Sequence, residues 1–276
     1  MNRIFKKISN FVNTALAHRR EPLRLEFILS DYCNLNCKGC THYSPLAAKV
    51  FEPLDQLERN AAMLGKAVGK DIEYVYLIGG ETLLYPELPE AMAIMRRHFP
   101  NTRIMLFTNG LLIPRMSDEF WQSARDNAVT LAITRYPVKF DYDAAEAECN
   151  RRGVDYKVFG DRGEEGAFLR FALDPAKSQP ARLSHFKCFN RGCISVVGDK
   201  VYPCSISACI GHLNKAHATR FEHLPGDWFN VADIRGIRQI KRLRDRPVPF
   251  CGYCKPNPTV TDYGPSKRDK AEWVDD

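Results

Sequence analysis

The chain has 276 residues, 45% of them hydrophobic, with 40 Lys and Arg against 33 Asp and Glu and a formal net charge of +7. That length suits one large domain, or a domain with a small appendage. The mild basic excess is spread along the chain and reads as solvated surface, with no nucleic-acid partner implied. No apolar run reaches the ~18 residues of a membrane span, and no hydrophobic signal segment follows Met1, so a cytoplasmic protein is expected. Ten cysteines in a chain too large to need disulfide staples point instead to metal binding or redox chemistry.

Residues 1–22 are read as an N-terminal amphipathic helix, with Ile4, Ile8, Phe11, Val12 and Leu16 at helical spacing beside Arg3, Lys6 and Lys7. From residue 23 the pattern alternates. Strands are predicted over 23–29, 72–78, 102–107, 129–134 and 154–159, and helices over 54–68, 87–98, 118–126 and 143–152. Short βα repeats of this kind argue for a parallel sheet wrapped by helices, with sites at the carboxyl ends of the strands. Residues 160–166 form a charged, Gly-rich link. A β-hairpin is expected to turn at Gly198-Asp199, a helix to span 231–243, and residues 257–276 to form a loose tail.

Two cysteine groups carry chemistry. Cys33, Cys37 and Cys40 lie within eight residues, directly after the first predicted strand. Thiolates are the soft ligands of iron–sulfur clusters. Three of them leave one iron of a cubane without a protein donor, as a catalytic zinc keeps an open position. Zinc held by the same thiols with His42 is the competing reading. The second group comprises Cys188, Cys193, Cys204, Cys209 and the pair Cys251-Gly-Tyr-Cys254. Cys149, alone in a helical stretch, reads as a small packed residue.

The spacing Cys33-x3-Cys37-x2-Cys40 after a first strand resembles the signature of the radical SAM superfamily. The resemblance implies a partial (β/α)6 TIM-like barrel, here expected over 23–165. It further implies that the open iron chelates S-adenosylmethionine (SAM), whose reductive cleavage gives a 5′-deoxyadenosyl radical that takes a hydrogen atom from substrate. Gly79-Gly80-Glu81-Thr82 after the second strand is similar to the family's GGE motif, which implies that Glu81 accepts from the methionine ammonium. Asn109 after the third strand and Thr134-Arg135 after the fourth match further family positions for SAM contacts. The family usually has an aromatic before the third cysteine; Gly39 stands there, and Tyr32 and Tyr43 are the substitutes considered.

Cys188, the hairpin, Cys204 and Cys251-x2-Cys254 resemble the C-terminal Twitch/SPASM region. This implies a small hairpin/helix lobe over 166–256 with one auxiliary [4Fe–4S] cluster on Cys188, Cys204, Cys251 and Cys254. Cys193 in place of Cys188 is the alternative ligand, and zinc the alternative metal. By family likeness, the expected activity is oxidation of a sugar, cyclitol or nucleotide-sugar alcohol. A peptide or protein modifier and a redox-neutral epimerase or dehydratase are the alternatives. A flavodoxin or ferredoxin is the expected electron donor. No motif identifies a catalytic residue.

Overall fold

A computed structural model describes residues 22–160 and 167–275. The helix expected over 1–22 and most of the 160–166 link lie outside the described residues.

Five parallel strands follow the predicted alternation: β1 Arg24–Ser30, β2 Tyr74–Gly79, β3 Arg103–Thr108, β4 Val129–Thr134 and β5 Tyr156–Phe159. Between them run α1 Leu54–Val68, α2 Leu88–His98, α3 Asp118–Asp126 and α4 Tyr142–Arg152. The helices form where apolar residues recur at three and four positions. In α1 these are Leu57, Ala61, Leu64 and Val68, all buried against the sheet. Local caps fix the starts of two others. Ser117 Oγ accepts from the Phe120 N–H at 3.3 Å, and Asp141 accepts from the Ala144 N–H at 2.9 Å. The odd residues of β1, Leu25, Phe27 and Leu29, are buried; Phe27 packs edge-on against Phe99 just past α2.

The next strand in the chain after β5 is not part of this sheet. β6 Ala167–Arg170 pairs antiparallel with β10 Thr259–Asp262 in a separate ribbon. The free edge of β1 is taken instead by β7 Ile194–Val197, which runs parallel to it. β7 turns at Gly198-Asp199, as predicted, into β8 Lys200–Tyr202, and β9 Phe229–Asn230 follows on the outer edge. The full order is β5-β4-β3-β2-β1-β7-β8-β9. The fold is α/β with a mostly parallel sheet, a partial TIM-like barrel. Short helices α5 Ala181–Phe186, α6 Ser205–Ala208 and α7 Ile210–His217 precede α8 Ile237–Asp245. The helix predicted over 231–243 is broken: a 3-10 turn spans Val231–Asp233, and α8 starts after Gly236. Among the described residues, no helix is long and apolar enough to cross a membrane.

The segment expected as a loose tail is packed. Trp273 and Val274 are buried. Arg170 donates to the carbonyls of Ala271, Glu272 and Val274 and pairs with Asp275. Lys38 N–H donates to Gly264 O at 2.9 Å, Ser266 N–H to Asn36 O at 2.7 Å, and Trp273 Nε1–H to Cys40 O at 2.9 Å. The chain's last residues therefore clamp the cysteine loop from outside.

Candidate active site and second thiol cavity

The ladder between β1 and β2 slips at Leu29, and after Ser30 the chain leaves the sheet into the cysteine loop. All three thiols of that loop line one cavity of about 380 Å³ at the carboxyl rim, together with Gly79, Gly80, Thr108, Asn109 and Thr134. Burial pushes the Cys33 and Cys37 thiols up to about 12. Ligation to a metal would deprotonate them.

Two glycines of the Gly-Gly-Glu run hold the loop by close approach. A Cβ on Gly80 would lie 2.3 Å from Tyr32 O, and one on Gly79 would lie 2.4 Å from Ser30 O. Gly80 N–H donates to Ser30 O and Glu81 N–H to Tyr32 O, stitching β2 to the loop entrance. Glu81 lies behind the rim. Its buried carboxylate does not line the cavity. It accepts from Leu83 N–H at 2.9 Å, Thr108 Oγ1–H at 2.6 Å and Asn109 N–H at 2.9 Å. Burial raises its pKa, and these three bonds oppose the rise. Glu81 thus shapes the rim from behind. Asn109 Nδ2–H reaches Asn34 Oδ1 at 2.6 Å and Cys33 Sγ at 3.8 Å, so the end of β3 is tied to the loop as well.

Thr82 is also buried outside the cavity lining, and Arg135 turns away to pair with Glu146 and Asp143 on α4. The aromatic wall is not made by Tyr32 or Tyr43. Tyr43 is buried against Trp273, and Lys49 sits over Tyr32. Tyr136, Phe107 and Phe168 line the cavity instead. Sequence reasoning missed Tyr136, which lies two residues past the end of β4, where the strand pattern gives no signal. Tyr263 rests against Tyr136 and Phe168, with ring centroids 5.6 and 6.2 Å away, and its hydroxyl is 3.9 Å from Cys37 Sγ.

The second group gathers Cys188, Cys204, Cys251 and Cys254 around a small space of about 40 Å³. Burial raises all four thiols, Cys251 to about 11. Cys193 is not among them. Its sulfur accepts from Arg24 Nη2–H at 3.0 Å, beside the buried Glu26. Cys149 and Cys209 are buried in the core. Phe171 and Asn190 line both cavities and form the wall between them. Among the described residues, no three His, Cys, Asp or Glu side chains converge tightly enough to hold one metal ion, as a tetrahedral zinc site requires. A cubane spreads its thiolates over separate irons, and the chemistry of both thiol sets fits such clusters.

A βα barrel with three thiols at its rim, against two glycines, presents a site suited to a thiolate-held metal cluster. Residues 27–153 match the Radical SAM superfamily, and the three thiols and two glycines of the rim fit the [4Fe–4S] cluster and SAM that this superfamily uses. The chain is 30% identical over 167 residues to GTP 3′,8-cyclase of Syntrophomonas wolfei, across 57% of this chain and 45% of that protein. It is 25% identical over 135 residues to molybdenum cofactor biosynthesis protein 1 of Homo sapiens, across 49% of this chain and 21% of that one. The matches thus span less than half of those relatives. In structure it resembles BtrN, crystallised in complex with AdoMet and 2-DOIA, with a TM-score of 0.50 at 15% identity, covering 86% of this chain and 94% of that one. At that identity the likeness concerns the fold alone.

Proposed function

We propose that this chain is a radical SAM enzyme that oxidises a hydroxyl-bearing carbon of a sugar, cyclitol or nucleotide sugar to a ketone, with Cys33, Cys37 and Cys40 holding the SAM cluster and Cys188, Cys204, Cys251 and Cys254 an auxiliary one. The observation that carries the reading is the second cavity: four thiols, enough to ligate every iron of a cubane, one wall away from the SAM cavity. With cluster and SAM bound, the first site supplies a 5′-deoxyadenosyl radical. A fully ligated second cluster supplies an electron acceptor, its potential set by ligands, hydrogen bonds and burial.

The chain's own residues do the positioning. Gly79 and Gly80 leave backbone at the rim uncovered by side chains. Thr134 brings a hydroxyl to the rim, while the Thr108 hydroxyl and Asn109 amide are held by Glu81 and Asn34 and fix the ends of β3 and the thiol loop; Tyr136, Phe107 and Phe168 give flat apolar walls. Conversion of an alcohol to a ketone removes one hydrogen atom from carbon, one electron and the hydroxyl proton. The second cavity answers the need for an electron sink.

The test replaces Cys251 and Cys254 with Ala and follows 5′-deoxyadenosine and product together, with circular dichroism and SAM binding as controls for folding. Persistent SAM cleavage with loss of ketone is the expected result. Full product without the second cluster sinks the oxidation and makes a redox-neutral epimerase or dehydratase the better account.

A further inference from the structure

The charges around the second cavity are of one sign. Lys187, Arg191 and Lys255 line it beside the four thiols, and among the described residues no Asp or Glu does. The three cations differ in what offsets them. Lys255 Nζ lies 2.6 Å from Asp275 Oδ2, so a carboxylate already balances it. Lys187 is exposed and donates to the neutral Asn257 amide at 3.1 Å, so water and salt screen it. Arg191 is half-buried, and the carboxylate that acts on it, Asp245, is already bound by Arg244 at 2.6 Å.

A guanidinium drawn out of water is costly unless an anion faces it. Four thiolates make a cubane such an anion, and an added electron makes it more negative. The backbone here is already arranged for negative charge on sulfur. The N–H groups of Asn190 and Arg191 donate to the Cys188 sulfur, and that of Ser207 donates to the Cys204 sulfur. One short segment, 188–191, therefore carries a thiol, two backbone donors to it and the cation. One carboxylate opposes this arrangement: Asp227 acts on Cys251, but it stands outside the lining and accepts from the N–H groups of Leu224 at 2.7 Å and Phe250 at 2.6 Å.

We propose that Arg191 is the counter-charge of the second cluster, a positioning residue that raises the cluster's potential and so suits it to accept an electron. This rests on the proposed oxidation and deepens it. In that reaction the carbon radical left by hydrogen-atom abstraction gives up one electron, the hydroxyl proton leaves to solvent, and the electron reduces the second cluster by one unit. A fixed cation beside the cubane favours the reduced, more negative state over the oxidised one. The field of a charge needs no contact, and a half-buried site screens it less than water does. Arg191 carries this effect further than Lys187 or Lys255, because the one is exposed and the other is balanced by Asp275.

The experiment uses the full chain with Cys33, Cys37 and Cys40 changed to Ala, reconstituted anaerobically, so that EPR-monitored potentiometry reads the second cluster alone. Arg191→Met, which keeps an extended side chain and removes the charge, should lower the equilibrium constant for reduction roughly 3- to 10-fold, about 30–60 mV at 59 mV per tenfold change for one electron. Arg191→Lys should restore most of that shift, and Lys187→Met and Lys255→Met should each move the midpoint less. Iron content and circular dichroism report folding, and the same titration in the two-cluster protein replaces the first if the triple variant does not fold. An unmoved midpoint in Arg191→Met overturns the proposal, as do equal shifts in Arg191→Met and Arg191→Lys, since a merely structural role would not follow the charge. Failure of the oxidation looks different. Absence of iron from the second cavity removes the acceptor and the proposed reaction together, whereas a midpoint that follows the charge at Arg191, with no ketone product in the unmodified enzyme, keeps the counter-charge and removes the oxidation.

Discussion

The large cavity takes its three thiols from one loop of eight residues and leaves about 380 Å³ of space above them. The small one draws four thiols from three separated segments and leaves about 40 Å³. One sits where β-strands end and backbone is bare. The other is enclosed by α5, the hairpin end and the Pro249–Tyr253 turn. A site for chemistry needs an unfilled coordination position and room for a ligand. A site for electron transfer or cohesion needs neither.

The largest effects should separate the two sites completely. Changing Cys33, Cys37 and Cys40 together to Ala should lower iron from about eight to about four per chain and abolish SAM cleavage. Retained cleavage would break the assignment of the open site. Cys188→Ala should disrupt the closed site, whereas Cys193→Ala should leave iron content unchanged, because its sulfur is bonded to Arg24. Equal iron loss in the two variants would erase that distinction.

Smaller effects sharpen the comparison. Gly80→Ala places a methyl group against the Tyr32 carbonyl and should destabilise the chain by about 1–3 kcal/mol, read by denaturant titration. Glu81→Gln puts an amide where three donors converge. A stability loss of about 1–3 kcal/mol is expected; a change confined to SAM affinity would instead return Glu81 to direct cofactor contact. Tyr263→Phe removes the hydroxyl beside Cys37 and should shift the midpoint of the first cluster to more negative potential by roughly 20–60 mV, the equivalent of one hydrogen bond. An unchanged EPR-monitored midpoint would show that this hydroxyl does not donate to the sulfur.

Much of the barrel was legible because its information is local. Helices 54–68 and 118–126 and strand 129–134 occupy the predicted spans, since their apolar spacing and turns lie within each segment. The thiol loop was legible for the same reason. What failed depends on distant partners. Residues 257–276 are polar and Pro- and Gly-containing, with little local pattern, yet Trp273 bonds to Cys40 across 233 positions. Glu81 was read by motif alone, without the three donors that the ends of β2 and β3 bring to it. Arg135 and Tyr136 lie just past the end of β4, where no strand period predicts which of them faces the cavity; Tyr136 does, and Arg135 pairs with α4.

The clamp made by residues 264–273 also makes the order of the cysteine loop a long-range property. Trp273 donates to Cys40 O across 233 positions, and Gly264 and Ser266 hold the same loop. Contacts of such long sequence separation form late in folding. The loop therefore gains its cover only when the rest of the fold is in place, and Trp273→Phe, which removes the indole donor but keeps an aromatic ring, should speed loss of the first cluster in air, read by the decay of its visible absorbance.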